Sequence, residues 1–133
     1  MKTSVQQWLE LAQADLRSCE NNLHDNFVTN IVAFHSQQAV EKAFKALLEE
    51  RGIAIPKVHN LIRLHSLSEP FLAELIDLSE LDVLDDVYTS SRYPGETGMM
   101  ATGKPTLAES KELYEIAQKI YLIIANTIIQ RTG

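Results

Sequence analysis

The chain has 133 residues, 45% of them hydrophobic and 23% charged, which is the balance of one globular domain over residues 1–133 and not of a disordered chain. Twelve basic against 18 acidic residues give a formal charge of −6, which argues against a broad, non-specific nucleic-acid coat, because that requires many cations to displace counterions. The single cysteine, Cys19, excludes an internal disulfide framework and a multi-cysteine metal site.

The first segment predicts a helix. Val5, Trp8, Leu9, Ala12, Leu16, Cys19 and Leu23 recur at steps of three and four along one apolar stripe. Thr3 and Ser4 are available as N-caps, with Gln6 or Gln7 to answer in a capping box. Met1 to Ser4 lead straight into this helix with no signal-peptide pattern, so a cytoplasmic protein is expected. Cys19 on the stripe reads as core and not as a nucleophile.

Asn21, Asn22 and Asp25 supply turn chemistry before a second helix predicted over about Phe27 to Arg51. Gly52 stands where a left-handed residue is wanted at its end. Val32, Ala39, Val40, Ala43, Phe44, Leu47 and Leu48 form its buried side, and Gln38, Glu41, Lys42, Lys45 and Glu49 an opposite polar stripe. Pro56 marks a loop, and His59 to Leu67 has the pattern of a short helix.

Pro70 to Asp77 and Ser79 to Ser90 read as further helical pieces, with Leu72, Leu75, Leu81, Leu84 and Tyr88 as inward candidates. Residues 93 to 105 hold three of the five glycines and two of the four prolines and read as a surface loop. Thr106 and Glu109 form a capping box for a last helix, whose stripe is Leu113, Ile116, Ala117, Ile120, Ile124 and Ile128. Its greasiest run, Ile120 to Ile129, is interrupted by Asn126 and Thr127 and is too short to span a bilayer, so no membrane partner is expected. Tyr121, Leu122, Ile123 and Ile129 nonetheless spread apolar groups around this helix, so either neighbouring helices enclose it or it forms a subunit interface. No strand pattern or internal repeat occurs. The expected fold is all-α: an up-and-down four-helix bundle with one or two extra short helices.

Charge is uneven. From Glu69 to Asp86 there are seven acids and no base, whereas Lys42, Lys45, Arg51, Lys57 and Arg63 face only Glu49 and Glu50 between positions 42 and 63.

The run Ala33-Phe34-His35-Ser36-Gln37-Gln38-Ala39-Val40-Glu41-Lys42-Ala43-Phe44-Lys45-Ala46-Leu47-Leu48 resembles the second helix of HEPN domains, small helical domains of higher eukaryotes and prokaryotes. Trp8 with Ala14-Asp15-Leu16, Pro56-Lys57-Val58-His59-Asn60-Leu61 and Ser91-Arg92-Tyr93-Pro94 agree with that resemblance, in the family's order and over nearly the whole chain. The resemblance implies a four- or five-helix bundle, frequently a homodimer. It also implies links to nucleotides and RNA, and a minimal nucleotidyltransferase as partner, in some pairs as toxin and antitoxin.

The family's RNA-cleaving branch carries an Arg followed after four to six residues by a His: the Arg stabilises charge on a phosphorane and the His handles a proton. Arg92 matches the Arg, but no histidine follows His65. The resemblance therefore points to a non-catalytic member with no catalytic residue and no cofactor. In it Arg92, with Lys42 or Lys45, His59, Gln38 and Tyr93, binds the phosphate of a nucleotide or RNA. The alternatives are an endoribonuclease toxin using Arg92 with Tyr93 or His59 as proton donor, and a purely structural homodimer.

Each of these residues has a plainer reading as well. Arg92 would pair with Asp85, Asp86 or Glu96, and the stripe from Gln38 to Lys45 would be a solvated helix face with Glu41 and Lys45 as an i,i+4 pair. His59 would cap the short helix or satisfy a backbone group. His24, His35, His59 and His65 lack the spacing of a metal site, so no metal is expected. Gly98 to Lys104 matches the phosphate-loop pattern until Pro105, where a Ser or Thr should hold magnesium, and no buried strand precedes it.

Overall fold

A computed structural model describes residues 1–92 and 104–132, with side chains through Thr89 and from Lys104 to Arg131. Among the described residues five α-helices follow in order: α1 (Thr3–Asn22), α2 (Thr29–Glu50), α3 (Leu61–Ser68), α4 (Leu78–Arg92) and α5 (Leu107–Thr132). Short 3₁₀ turns precede α2 (Asn26–Val28) and follow α3 (Glu69–Phe71), and no strand occurs among the described residues. The expected all-α bundle of four long helices with a short extra one is what the chain forms.

The apolar stripes explain the packing. Helix α2 is the central element, and α1, α3, α4 and α5 all pack on it. Ala33, Ala39, Ala43 and Ala46 let its neighbours approach closely, while Phe44, Leu47 and Leu48 fill the layer between them; all are fully buried. The stripes of α1 (Val5, Leu9, Ala12, Leu16, Cys19) and α5 (Leu113, Ala117, Ile120, Ile124, Ile128) close the core from two sides. Burial pushes the Cys19 thiol up to about 11, so it serves as a small apolar core group.

The ends of the helices follow local chemistry. Gly52 takes φ +71° and stops α2, with Ile53 N–H donating back to the Leu48 carbonyl. Thr106 and Glu109 exchange their capping hydrogen bonds at the start of α5, at 2.7 and 3.0 Å.

Three expectations are corrected. Neither Thr3 nor Ser4 caps α1; Lys2 holds that position without a side-chain bond, and Ser4 Oγ instead donates to Glu49 Oε1 at 2.8 Å. Pro70 to Asp77 is not helical beyond the 3₁₀ turn, because the Ala73 N–H is taken by Thr127 Oγ1 and Asp77 caps α4 through Ser79. Leu75, expected inside, is 95% exposed there. On α5 the apolar groups divide between core and surface. Tyr121 is buried and accepts a hydrogen bond from Gln13, but Leu122 and Ile129 stay exposed.

Candidate functional site

The polar stripe of α2 is not a solvated face. Glu41 is only 3% exposed and Gln37 is fully buried, while Gln38, Lys42 and Lys45 are half-buried. A buried carboxylate must be paired or it would not stay ionised. Glu41 takes two ionisable partners, Lys45 Nζ at 2.9 Å on Oε2 and His59 Nδ1 at 3.0 Å on Oε1, and accepts from Gln38 Nε2 at 3.4 Å. The Glu41–Lys45 pair is the expected i,i+4 contact, though it sits inside the bundle and not on its surface.

A second buried acid repeats this pattern one layer away. Asp15 of α1 is 5% exposed and holds Lys42 Nζ on Oδ2 and His35 Nδ1 on Oδ1, both at 2.7 Å. Asp15 and His35 were not singled out by the sequence as site residues. The signal was present: Asp15 stands three residues after Ala12 and four before Cys19, on the apolar stripe itself, where a carboxylate has to be buried.

Amides and one more acid tie this seam to the loop before α3 and to α4. Gln37 Nε2 donates to the His59 carbonyl at 2.7 Å, and Gln38 Nε2 to Gln37 Oε1 at 2.9 Å. Asp85 of α4 accepts the Leu61 N–H at 2.9 Å, one of the N–H groups that α3 leaves without a helical partner. Burial raises the Asp85 carboxyl above its ordinary range, and the bonds from Leu61 and Gln37 only partly offset this. His59 does not cap α3. Asn60 does, accepting from the Arg63 N–H at 2.9 Å.

Aromatic rings continue the seam toward the end of α4. Tyr88 stacks on Phe34 at 5.5 Å between centroids and lies 6.0 Å from the His59 ring. Trp8 lies 5.6 Å beneath the Lys45 ammonium. Arg92 ends α4 one turn past Tyr88. Its side chain, and the whole of Tyr93, lie outside the described residues, so the pairings of Arg92 with Asp85, Asp86 or Glu96 do too.

Of the six residues expected to bind phosphate, Gln38, Lys45 and His59 meet around Glu41. Lys42 turns to Asp15 instead, on the α1 side of the same helix. Both lysines face carboxylates, so their charge is compensated within the protein. His59 is the most open member: its side chain is 57% exposed, and its Nδ1 is engaged by Glu41, leaving Nε2 as the ring's other polar atom. No group of three or more metal-ligating side chains occurs among the described residues. No described helix is long and apolar enough to cross a membrane.

The HEPN domain family matches the chain over residues 5–127. No curated protein matches it. Two solved structures are similar over nearly their full length. One is an archaeal HEPN homologue with a TM-score of 0.73 at 28% identity, covering 96% of this chain and 99% of that one. The other is a protein from Thermus thermophilus with a TM-score of 0.76 at 28% identity, covering 95% of this chain and 99% of that one.

Proposed function

Since the chain belongs to the HEPN domain family, we propose that it is a non-catalytic member that binds the phosphate of a nucleotide or RNA along the polar seam of α2. In this reading it serves as partner subunit of a minimal nucleotidyltransferase in a toxin–antitoxin-like pair. One observation carries the binding site: His59 and Lys45 are fixed on buried Glu41 beside Tyr88, and Arg92 follows Tyr88 by one helical turn. An arginine there supplies a charge-assisted fork for phosphate oxygens. His59 and the remaining ammonium protons of Lys45 supply further donors, with Tyr93 next to Arg92 in the sequence. The lysines are already paired with carboxylates, so this reading assigns the phosphate's charge chiefly to Arg92, and the absence of a histidine after His65 removes the family's usual proton carrier.

Calorimetric titration with nucleoside mono-, di- and triphosphates tests this reading. Binding to the wild-type protein and a loss of about tenfold or more in Arg92→Ala is the expected result. Negligible heats for both proteins would sink it. A nucleotidyltransferase gene beside this one, and co-purification of the two products, would support the pairing.

A second reading is favoured by the His59–Glu41 contact. A carboxylate on Nδ1 fixes the ring's orientation and leaves Nε2 for proton transfer, as an endoribonuclease without metal requires. Incubation with RNA in a chelator decides between the two. Cleavage that disappears in His59→Asn would favour the enzyme, and intact RNA the binding module.

Assembly as a homodimer through α5 completes the proposal. Leu122 and Ile129 are 48% and 53% exposed, and Leu75 and Leu78 add to the apolar surface nearby. Light scattering of the double variant Leu122→Glu, Ile129→Glu should show half the wild-type mass; an unchanged mass would remove this interface.

A further inference from the structure

Beyond the seam, we propose that the far end of the bundle holds a second anion site, a two-arginine pocket that takes a phosphate-type oxyanion. It lies nearly two turns past Lys45, where α2 ends, α5 ends and the chain leaves its second 3₁₀ turn. A cavity of about 380 Å³ is lined there by Leu47, Arg51, Phe71, Thr127, Gln130 and Arg131 among others.

The arginines carry the argument. The Arg51 guanidinium lies over the Phe71 ring at 4.2 Å and has no hydrogen-bond acceptor or carboxylate among the described residues. Stacking fixes the plane of the fork and removes rotamer freedom that a ligand would otherwise have to remove, yet it uses none of the five N–H donors. Arg131 approaches from α5, and its Nε pairs with Glu50 Oε2 at 3.1 Å, so its terminal nitrogens remain for a ligand. Gln130 beside it has no side-chain partner among the described residues. Thr127 is excluded as a donor to any ligand, because its hydroxyl already donates to the Ile123 carbonyl and accepts from Ala73 N–H.

Two guanidiniums against the one carboxylate of Glu50 leave one positive charge, on a chain that is otherwise strongly acidic. Two forks from different helices suit a tetrahedral oxyanion with three or more acceptor oxygens. A carboxylate would be satisfied by one fork alone. Free phosphate and the phosphate of a nucleotide share this chemistry.

Amide and arginine Nε–H spectra of the ¹⁵N-labelled full chain, titrated at constant ionic strength with inorganic phosphate, adenosine monophosphate or acetate, test the site. Phosphate should give saturable shifts at Ala73 N–H and Arg51 Nε–H, and acetate should bind at least about tenfold more weakly. Arg51→Ala and Arg131→Ala should each weaken phosphate by about tenfold, and Phe71→Leu, which keeps both charges but removes the stacking face, by about threefold. Tighter binding of adenosine monophosphate would identify a nucleotide as the source, and preference for inorganic phosphate a free anion. Arg92→Ala should leave these shifts in place, which separates this pocket from the seam on α2. Shifts that do not saturate, acetate binding as well as phosphate, or unchanged affinity in both arginine variants would each overturn the site.

Discussion

Asp15 and Glu41 solve one problem in two ways. Each is a carboxylate buried in a helical bundle, and each is bridged by one lysine of α2 and one histidine. They differ in where the histidine comes from. His35 belongs to α2 itself, and its side chain is 28% exposed. His59 comes from the irregular stretch before α3 and is 57% exposed. The Asp15 cluster thus locks α1 against α2, joining two elements that the apolar stripes already hold. The Glu41 cluster ties a loop to the core and, with Gln37 gripping the His59 carbonyl, keeps a ring in a defined place at the surface. The first is fastening; the second also presents a side chain to solvent.

The sharpest way to break this comparison is to remove each acid in turn. Glu41→Ala strands Lys45, whose side chain is only 11% exposed, and releases His59, so the expected loss of stability is about 3 kcal/mol or more. Urea denaturation should show it, accompanied by faster amide exchange around Leu61. Asp15→Ala leaves Lys42 and His35, both more exposed and better able to turn toward water, so the expected loss is about 2 kcal/mol. A reversed order, or exchange around Leu61 that rises equally in both variants, would mean the two clusters are not different in kind.

The contrast also explains what the sequence made legible. Apolar periodicity gave the four long helices, because alanines and leucines at steps of three and four leave α2 only one way to be central. Gly52 and the Thr106–Glu109 box marked ends for which local geometry has few alternatives. The site was harder. Gln38, Lys45 and His59 were grouped and do meet, but they meet through Glu41, whose burial a two-sided reading of α2 hides: with neighbours on almost every side, no face of this helix is free to be wholly solvated. Leu75 misled for a different reason. Its spacing suits a helix, but the Thr127 hydroxyl takes the Ala73 N–H and the backbone leaves the helical path before Leu75 is reached.

The smallest effect concerns Asp85, which joins the loop of the Glu41 cluster to α4, and here two variants sharpen the comparison. Asp85→Ala leaves the Leu61 N–H and the Gln37 amide short of an acceptor and should cost about 1–2 kcal/mol at neutral pH. Asp85→Asn keeps an acceptor oxygen and should be close to neutral, or stabilising. Burial raises the Asp85 carboxyl above 3.8 in the folded chain, so the folded state holds that proton more tightly than the unfolded one. The stability this contributes is present below the unfolded value and is lost as pH rises through the folded one. Asparagine does not titrate, so the stability of Asp85→Asn relative to wild type should increase on going from about pH 3.5 to about pH 7. Denaturation curves at both ends of that range measure the difference; a trend of the opposite sign would show that the Leu61 N–H, and not desolvation, governs this carboxylate.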